Sequence, residues 1–146
     1  MLKKDVTYTD YNGVERTESF FFNLSEAELT EMELGTAGGF TDKILAIIKA
    51  KDVPSLIILF KDIVLKSYGE KSIDGKRFMK SKEISEAFSQ TEAYVQIYME
   101  LVQDDQKAAD FVNGILPKKL RDRVEENKNE VEKMKKDLLE PKTEVI

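Results

Sequence analysis

The sequence predicts a mainly α fold, with a compact helical domain of five to six helices, an N-terminal β-hairpin and a charged C-terminal helix. Three observations carry that prediction. From Leu24 onward apolar residues recur at helical spacing, and capping residues precede the runs. Upstream of them, Asn12-Gly13 separates two runs rich in Thr, Tyr, Phe and Val, the strongest short-range hairpin signal. Beyond Pro117 the composition changes, and 17 of the last 29 residues are charged. The 146 residues fit one domain, 1–117, and a helical tail, 118–146, that frays beyond Glu140-Pro141.

The hairpin is expected first. A two-residue type I′ loop at Asn12-Gly13 places Tyr11 opposite Val14, Thr9 opposite Arg16 and Thr7 opposite Glu18. The other face then pairs Tyr8 with Thr17 and Asp10 with Glu15. Because that pair is like-charged, a bulge or a slipped register stays open. Phe20-Phe21-Phe22 puts aromatic rings on both faces, which reads either as packing or as a sticky edge that recruits another chain by strand addition.

Helices follow. Ser25 and Glu28 match a capping box, with Leu24 and Leu29 placed as a hydrophobic staple, and the first helix ends by Gly35. After Gly38-Gly39, Phe40, Ile44, Ile47 and Ile48 keep helical spacing, and Asp52 caps the next helix with Pro54 in its first turn. From Val53 to Leu65 the chain is apolar nearly all round, which predicts the centre of the core. Gly69 stops it. A loop over 70–80 turns at Asp74-Gly75, with a short β-ribbon around Arg77-Phe78-Met79. Ser81 caps a helix presenting Ile84 and Phe88; Thr91 opens one with Tyr94, Ile97, Tyr98 and Leu101. Asp104 or Asp105 caps the last, which carries Ala108, Phe111, Val112 and Ile115. In the tail, Leu120, Val124, Asn127, Val131, Met134 and Leu138 form a heptad seam suited to self-association, to packing on the body or to a partner.

Composition narrows function. The chain has no Cys, His or Trp, which excludes thiolate chemistry, imidazole zinc ligands and Ser-His triads. The tail holds 9 basic and 8 acidic residues of the chain's 23 and 28, which leaves the body 14 and 20, a net of −6. Such an acidic body does not suit nucleic acid; Lys118, Lys119, Arg121 and Arg123 are the one basic cluster, and Glu125-Glu126 follow it. Val53–Leu65 contains Lys61 and Asp62 and is too short for a membrane span, and Met1-Leu2-Lys3-Lys4-Asp5 does not open a signal peptide. Gly69 to Arg77 departs from a P-loop in spacer, in final residue and in following a helix. Asp104-Asp105 lacks the EF-hand frame, and Asn23-Leu24-Ser25 reads as a helix start rather than a glycosylation acceptor. No catalytic, cofactor or metal residue is expected, and the chain reads as a non-enzyme.

Several segments together resemble tail assembly chaperones of long, non-contractile-tailed (siphovirus-type) bacteriophages of Gram-positive bacteria. They are Tyr8 to Glu18, Phe22-Asn23-Leu24, Phe60 to Lys71, Phe88 to Tyr94 and Phe111 to Pro117, and beyond Pro117 the likeness lapses. The resemblance implies a non-catalytic protein of the host cytoplasm, absent from the mature virion. It implies binding to the tape measure protein, kept soluble until tail tube subunits polymerise around it. It also implies a longer, frameshifted form that engages the tube protein, this chain being the shorter product. Exposed apolar stripes on a tape measure protein invite aggregation, and a small helical protein with spare grooves covers them. The expected partner-binding residues are Tyr8, Phe20, Phe22, Tyr94, Tyr98 and Leu101 on the body, and Leu120, Val124, Val131 and Met134 on the tail seam. The competing readings are a structural tail connector retained in the virion and a regulatory nucleic-acid binder.

Overall fold

A computed structural model describes residues 1–35, 39 and 53–117. The chain divides into two units, Met1–Leu116 and Pro117–Ile146, and all the helices and strands named below belong to the first. The expected helix around Phe40, Ile44, Ile47 and Ile48, the Asp52 cap and the whole tail seam lie outside the described residues.

The elements run β1 (Leu2–Thr9), β2 (Glu15–Phe22), α1 (Glu26–Gly35), α2 (Val53–Ser67), β3 (Tyr68–Lys71), β4 (Phe78–Met79), α3 (Lys82–Ser89), α4 (Glu92–Gln103) and α5 (Asp105–Ile115). The four strands form one antiparallel sheet in the order β1-β2-β3-β4. The fold is therefore mixed α/β, and the expectation of a mainly α domain is corrected. The reason lies at the end of α2. The chain leaves the helix at Ser67 and at once pairs with the hairpin, Phe21 opposite Gly69 and Phe22 opposite Tyr68, so that the ribbon becomes a sheet. Asn23 and Leu24 continue the stitching by donating their N–H groups to the carbonyls of Ser67 (2.7 Å) and Ile115 (2.9 Å).

The hairpin register is one residue away from the two-residue-loop pairing. Thr9 faces Glu15, Tyr8 faces Arg16 and Thr7 faces Thr17. Asp10 sets this. Its Oδ1 accepts from the N–H groups of Asn12 and Val14, each at 2.9 Å, and its Oδ2 accepts from Arg16 Nε at 2.6 Å. These bonds close a three-residue loop, Tyr11-Asn12-Gly13, in which Gly13 takes the left-handed φ of +80°. One residue of slip exchanges the faces of one strand relative to the other. Tyr8, Phe20 and Phe22 thereby share the core face with Leu2 and Val6, and Phe21 points outward beneath Lys71 Nζ, 4.1 Å from its ring centre.

Local rules account for the helix starts. Ser25 Oγ accepts from Glu28 N–H (3.1 Å) while Glu28 Oε1 accepts from Ser25 N–H (3.0 Å), a complete capping box. Ser81, Thr91 and Asp104 cap α3, α4 and α5 from one side only, each accepting from an N–H two or three residues on. Asp74 accepts from Ser72 Oγ and from Lys76 N–H, so the segment with a passing likeness to a P-loop is the turn between β3 and β4. Gly69 makes that turn close. A Cβ there would lie 2.7 Å from the Phe78 ring and 3.0 Å from the Met79 carbonyl.

The core lies between the inner face of the hairpin and the helices. Phe22, Val64, Ile97, Leu101 and Ile115 are essentially inaccessible, each such side chain contributing about 1.5–3 kcal/mol by its removal from water. α2 is less central than its composition suggests. Among its described side chains it buries Leu59, Ile63 and Val64 but leaves Ile58 68% exposed.

Candidate partner-binding surface

The expected body contact residues fall into one connected row of rings. Tyr8 meets Phe20 (centroids 6.3 Å apart), Phe20 and Phe22 both meet Phe88 (5.6 and 5.8 Å), and Phe22 meets Phe111 edge-on (5.1 Å). Phe88 stacks on Tyr68 at 3.9 Å and meets Tyr94 edge-on, and Tyr94 in turn stacks on Tyr98 at 5.8 Å. Edge-on and offset contacts of this kind each add about 0.5–1.5 kcal/mol beyond area burial. Phe20, Phe22, Tyr94 and Leu101 are buried, so the aromatic side of the hairpin is a core face and not an exposed one. Tyr8 and Tyr98 are half-buried at the two ends of the row. Tail residues Leu120, Val124, Val131 and Met134 lie outside the described residues.

The row carries little proton chemistry near neutral pH. Burial, followed by the charges of Glu70 and Glu18, pushes the Tyr68 phenol up to about 12. Burial also raises Tyr94, and the hydrogen bond that Tyr8 donates to the Glu18 carboxylate raises Tyr8. All three stay neutral and act by packing and hydrogen bonding. Among the described residues no group of three or more Asp or Glu is placed to hold a metal ion, and none of the described helices is long and apolar enough to cross a membrane.

The apolar side chains that do reach solvent are elsewhere. On α4, Val95 and Met99 are each 42% exposed, and their four-residue spacing puts them on one helix face. Tyr98 lies beside them and its hydroxyl donates to the Ile57 carbonyl of α2 (3.4 Å), next to exposed Ile58. Met99 also lines a shallow depression of about 520 Å³ with Gln96, Glu100, Gln103, Asp104 and Lys107. Glu100 anchors its rim, holding Lys4 of β1 and Lys107 of α5, each at 3.4 Å. The readable signal for this surface is that α4 is apolar on more than one side. Val95, Met99 and Val102 stand apart from the Tyr94, Ile97, Leu101 stripe that the core consumes.

No curated protein and no solved structure matches the chain. A family model described as "Phage tail assembly chaperone" matches residues 1–145, so the likeness does not lapse at Pro117 but runs through the charged tail. The chain belongs to the phage tail assembly chaperone family.

Proposed function

We propose that this chaperone binds the tape measure protein of its phage and keeps it soluble until tail tube subunits polymerise around it. Family membership over residues 1–145 supports a role in tail assembly, and the exposed Val95–Met99 face of α4 is the observation that carries the mode of binding. A helix that keeps apolar side chains at i and i+4 in water, beside a second helix exposing Ile58, suits an amphipathic partner helix laid across it. The net charge of −5 keeps a complex of this kind dispersed. In this reading the protein works in the host cytoplasm, performs no catalysis and leaves before the virion is complete. A longer frameshifted form brings in the tube protein.

Co-expression with the tape measure protein tests the reading. The full chain is expected to raise its soluble fraction and to co-purify with it. Val95→Glu/Met99→Glu is expected to abolish both effects while leaving the fold intact by circular dichroism, because both side chains already face water. A tape measure protein that is equally soluble alone, or full occupancy of the chain in purified particles by mass spectrometry, would overturn it in favour of a retained structural connector.

A further inference from the structure

Besides the outer edge of β1, which no described strand covers, β2 is only partly covered on the side away from β1. β3 pairs with β2 only at Phe21 and Phe22, so among the described residues no strand lies beside β2 from Glu15 to Ser19. All five of those residues are exposed. The direction of their backbone groups follows from the hairpin. Asp10 N–H donates to the Val14 carbonyl, and bonded pairs alternate from there along the ladder, which makes Tyr8–Arg16 and Val6–Glu18 bonded pairs. The N–H and C=O groups of Glu15, Thr17 and Ser19 therefore point away from β1. Asn23, of the same parity, does direct its N–H outward, to Ser67.

We propose that this edge pairs with the same edge of a second copy of the chain, antiparallel and about a two-fold axis at Thr17. Charge selects both the occupant and the register. Outward groups meet outward groups only when odd residues face odd residues. Of the registers that allow this near the middle of the edge, one sets Arg16 against Arg16 of the second copy, and another sets Glu18 against Glu18. Centring on Thr17 instead sets Arg16 against Glu18 of the second copy, twice by symmetry, with Thr17 on Thr17 and Glu15 on Ser19. A parallel arrangement in register stacks like charges throughout. Both charged groups have capacity to spare. Arg16 uses Nε on Asp10, which leaves its terminal N–H groups, and Glu18 receives Tyr8 on one oxygen only. A contact this short belongs to the small class of interfaces, so the dimer depends on concentration. The proposal is independent of which tail protein the chaperone binds.

Sedimentation equilibrium of the full chain is expected to show a reversible dimer. Arg16→Glu or Glu18→Arg alone is expected to weaken it by about tenfold, since each replaces two attractive cross-strand pairs with two repulsive ones. The combined R16E/E18R swap is expected to restore it to within about threefold. Thr17→Pro deletes the outward N–H at the axis, leaves the backbone bonds to β1 in place while losing the hydroxyl bond to Thr7, and is expected to abolish the dimer. The chain has no native Cys, so Thr17→Cys, which gives up only the hydroxyl bond to Thr7, provides a second check, with disulfide-linked dimer expected on mild oxidation. A wild-type chain that stays monomeric at millimolar concentration overturns the proposal. So does a dimer that the single charge reversals leave unchanged or the double swap fails to rescue, or a folded Thr17→Cys chain that does not cross-link.

Discussion

Helices α1 and α4 start alike and are held differently. Each opens on a hydroxyl residue, Ser25 or Thr91, whose side-chain oxygen accepts from an N–H three residues on, at 3.1 Å in both. α4 then buries Ala93, Tyr94, Ile97 and Leu101. α1 buries nothing fully; Leu29 and Met32 rest half-buried against the core and Leu34 is 83% exposed. Polar bonds add to that half-buried packing. Lys80 Nζ donates to Glu28 Oε2 (2.7 Å) and to the Asn23 carbonyl (2.6 Å), so the residue that completes the capping box also ties the helix to the β4–α3 segment. A cap marks where a helix begins, and the buried face decides how much free energy holds it there.

The sharpest way to break the contrast is Ile97→Ala, which leaves a void in the middle of the core. It is expected to cost about 3 kcal/mol in chemical denaturation. Ser25→Ala removes one arm of the α1 box and is expected to cost about 1 kcal/mol, read as faster hydrogen exchange confined to residues 26–35. Acid should act on α1 in the same direction. The net lowering of the Glu28 carboxyl below 4.5 reflects the Lys80 and Ser25 hydrogen bonds outweighing its partial burial. Because its folded value lies below the unfolded one, its contribution is present above about pH 4.5 and lost as pH falls through the folded value. Glu28 is partly exposed, so solvent screening keeps the loss under about 1 kcal/mol, and Glu28→Gln should remove that pH dependence from α1 exchange. Leu34→Ser, at the exposed end of the same helix, is expected to change stability by less than about 0.5 kcal/mol.

Features governed by neighbours in sequence were legible, and features governed by distant ones were not. The box at Ser25 and the caps at Ser81 and Asp104 depend on residues two or three apart, and these are present as the sequence suggests. The hairpin was legible as well, but its register was not, because Asp10 competes with the type I′ turn by binding two N–H groups of the loop. The sheet beyond the hairpin leaves no such mark. β3 has four residues and no alternating pattern, and its pairing with Phe21 and Phe22 joins positions almost fifty apart. The candidate surface is obscured for the same reason. Tyr94 and Leu101 stand out by periodicity, yet a strong apolar stripe is what a core takes first, and on α4 the apolar side chains that stay in water are the weaker pair, Val95 and Met99. Phe88, the ring that touches Phe20, Phe22, Tyr68 and Tyr94, looks in sequence like an ordinary helical phenylalanine.

The ring row has a practical consequence for watching this molecule. With no Trp in the chain, ultraviolet emission comes from five tyrosines, and four of them, Tyr8, Tyr68, Tyr94 and Tyr98, sit in that row. Tyr11 alone lies outside that row, 74% exposed at the hairpin tip with its hydroxyl bonded to the Glu92 carboxylate. The native optical signal therefore reports the seam where strands meet helices, and a single Tyr11→Phe change would silence the background and leave a label-free gauge of that seam.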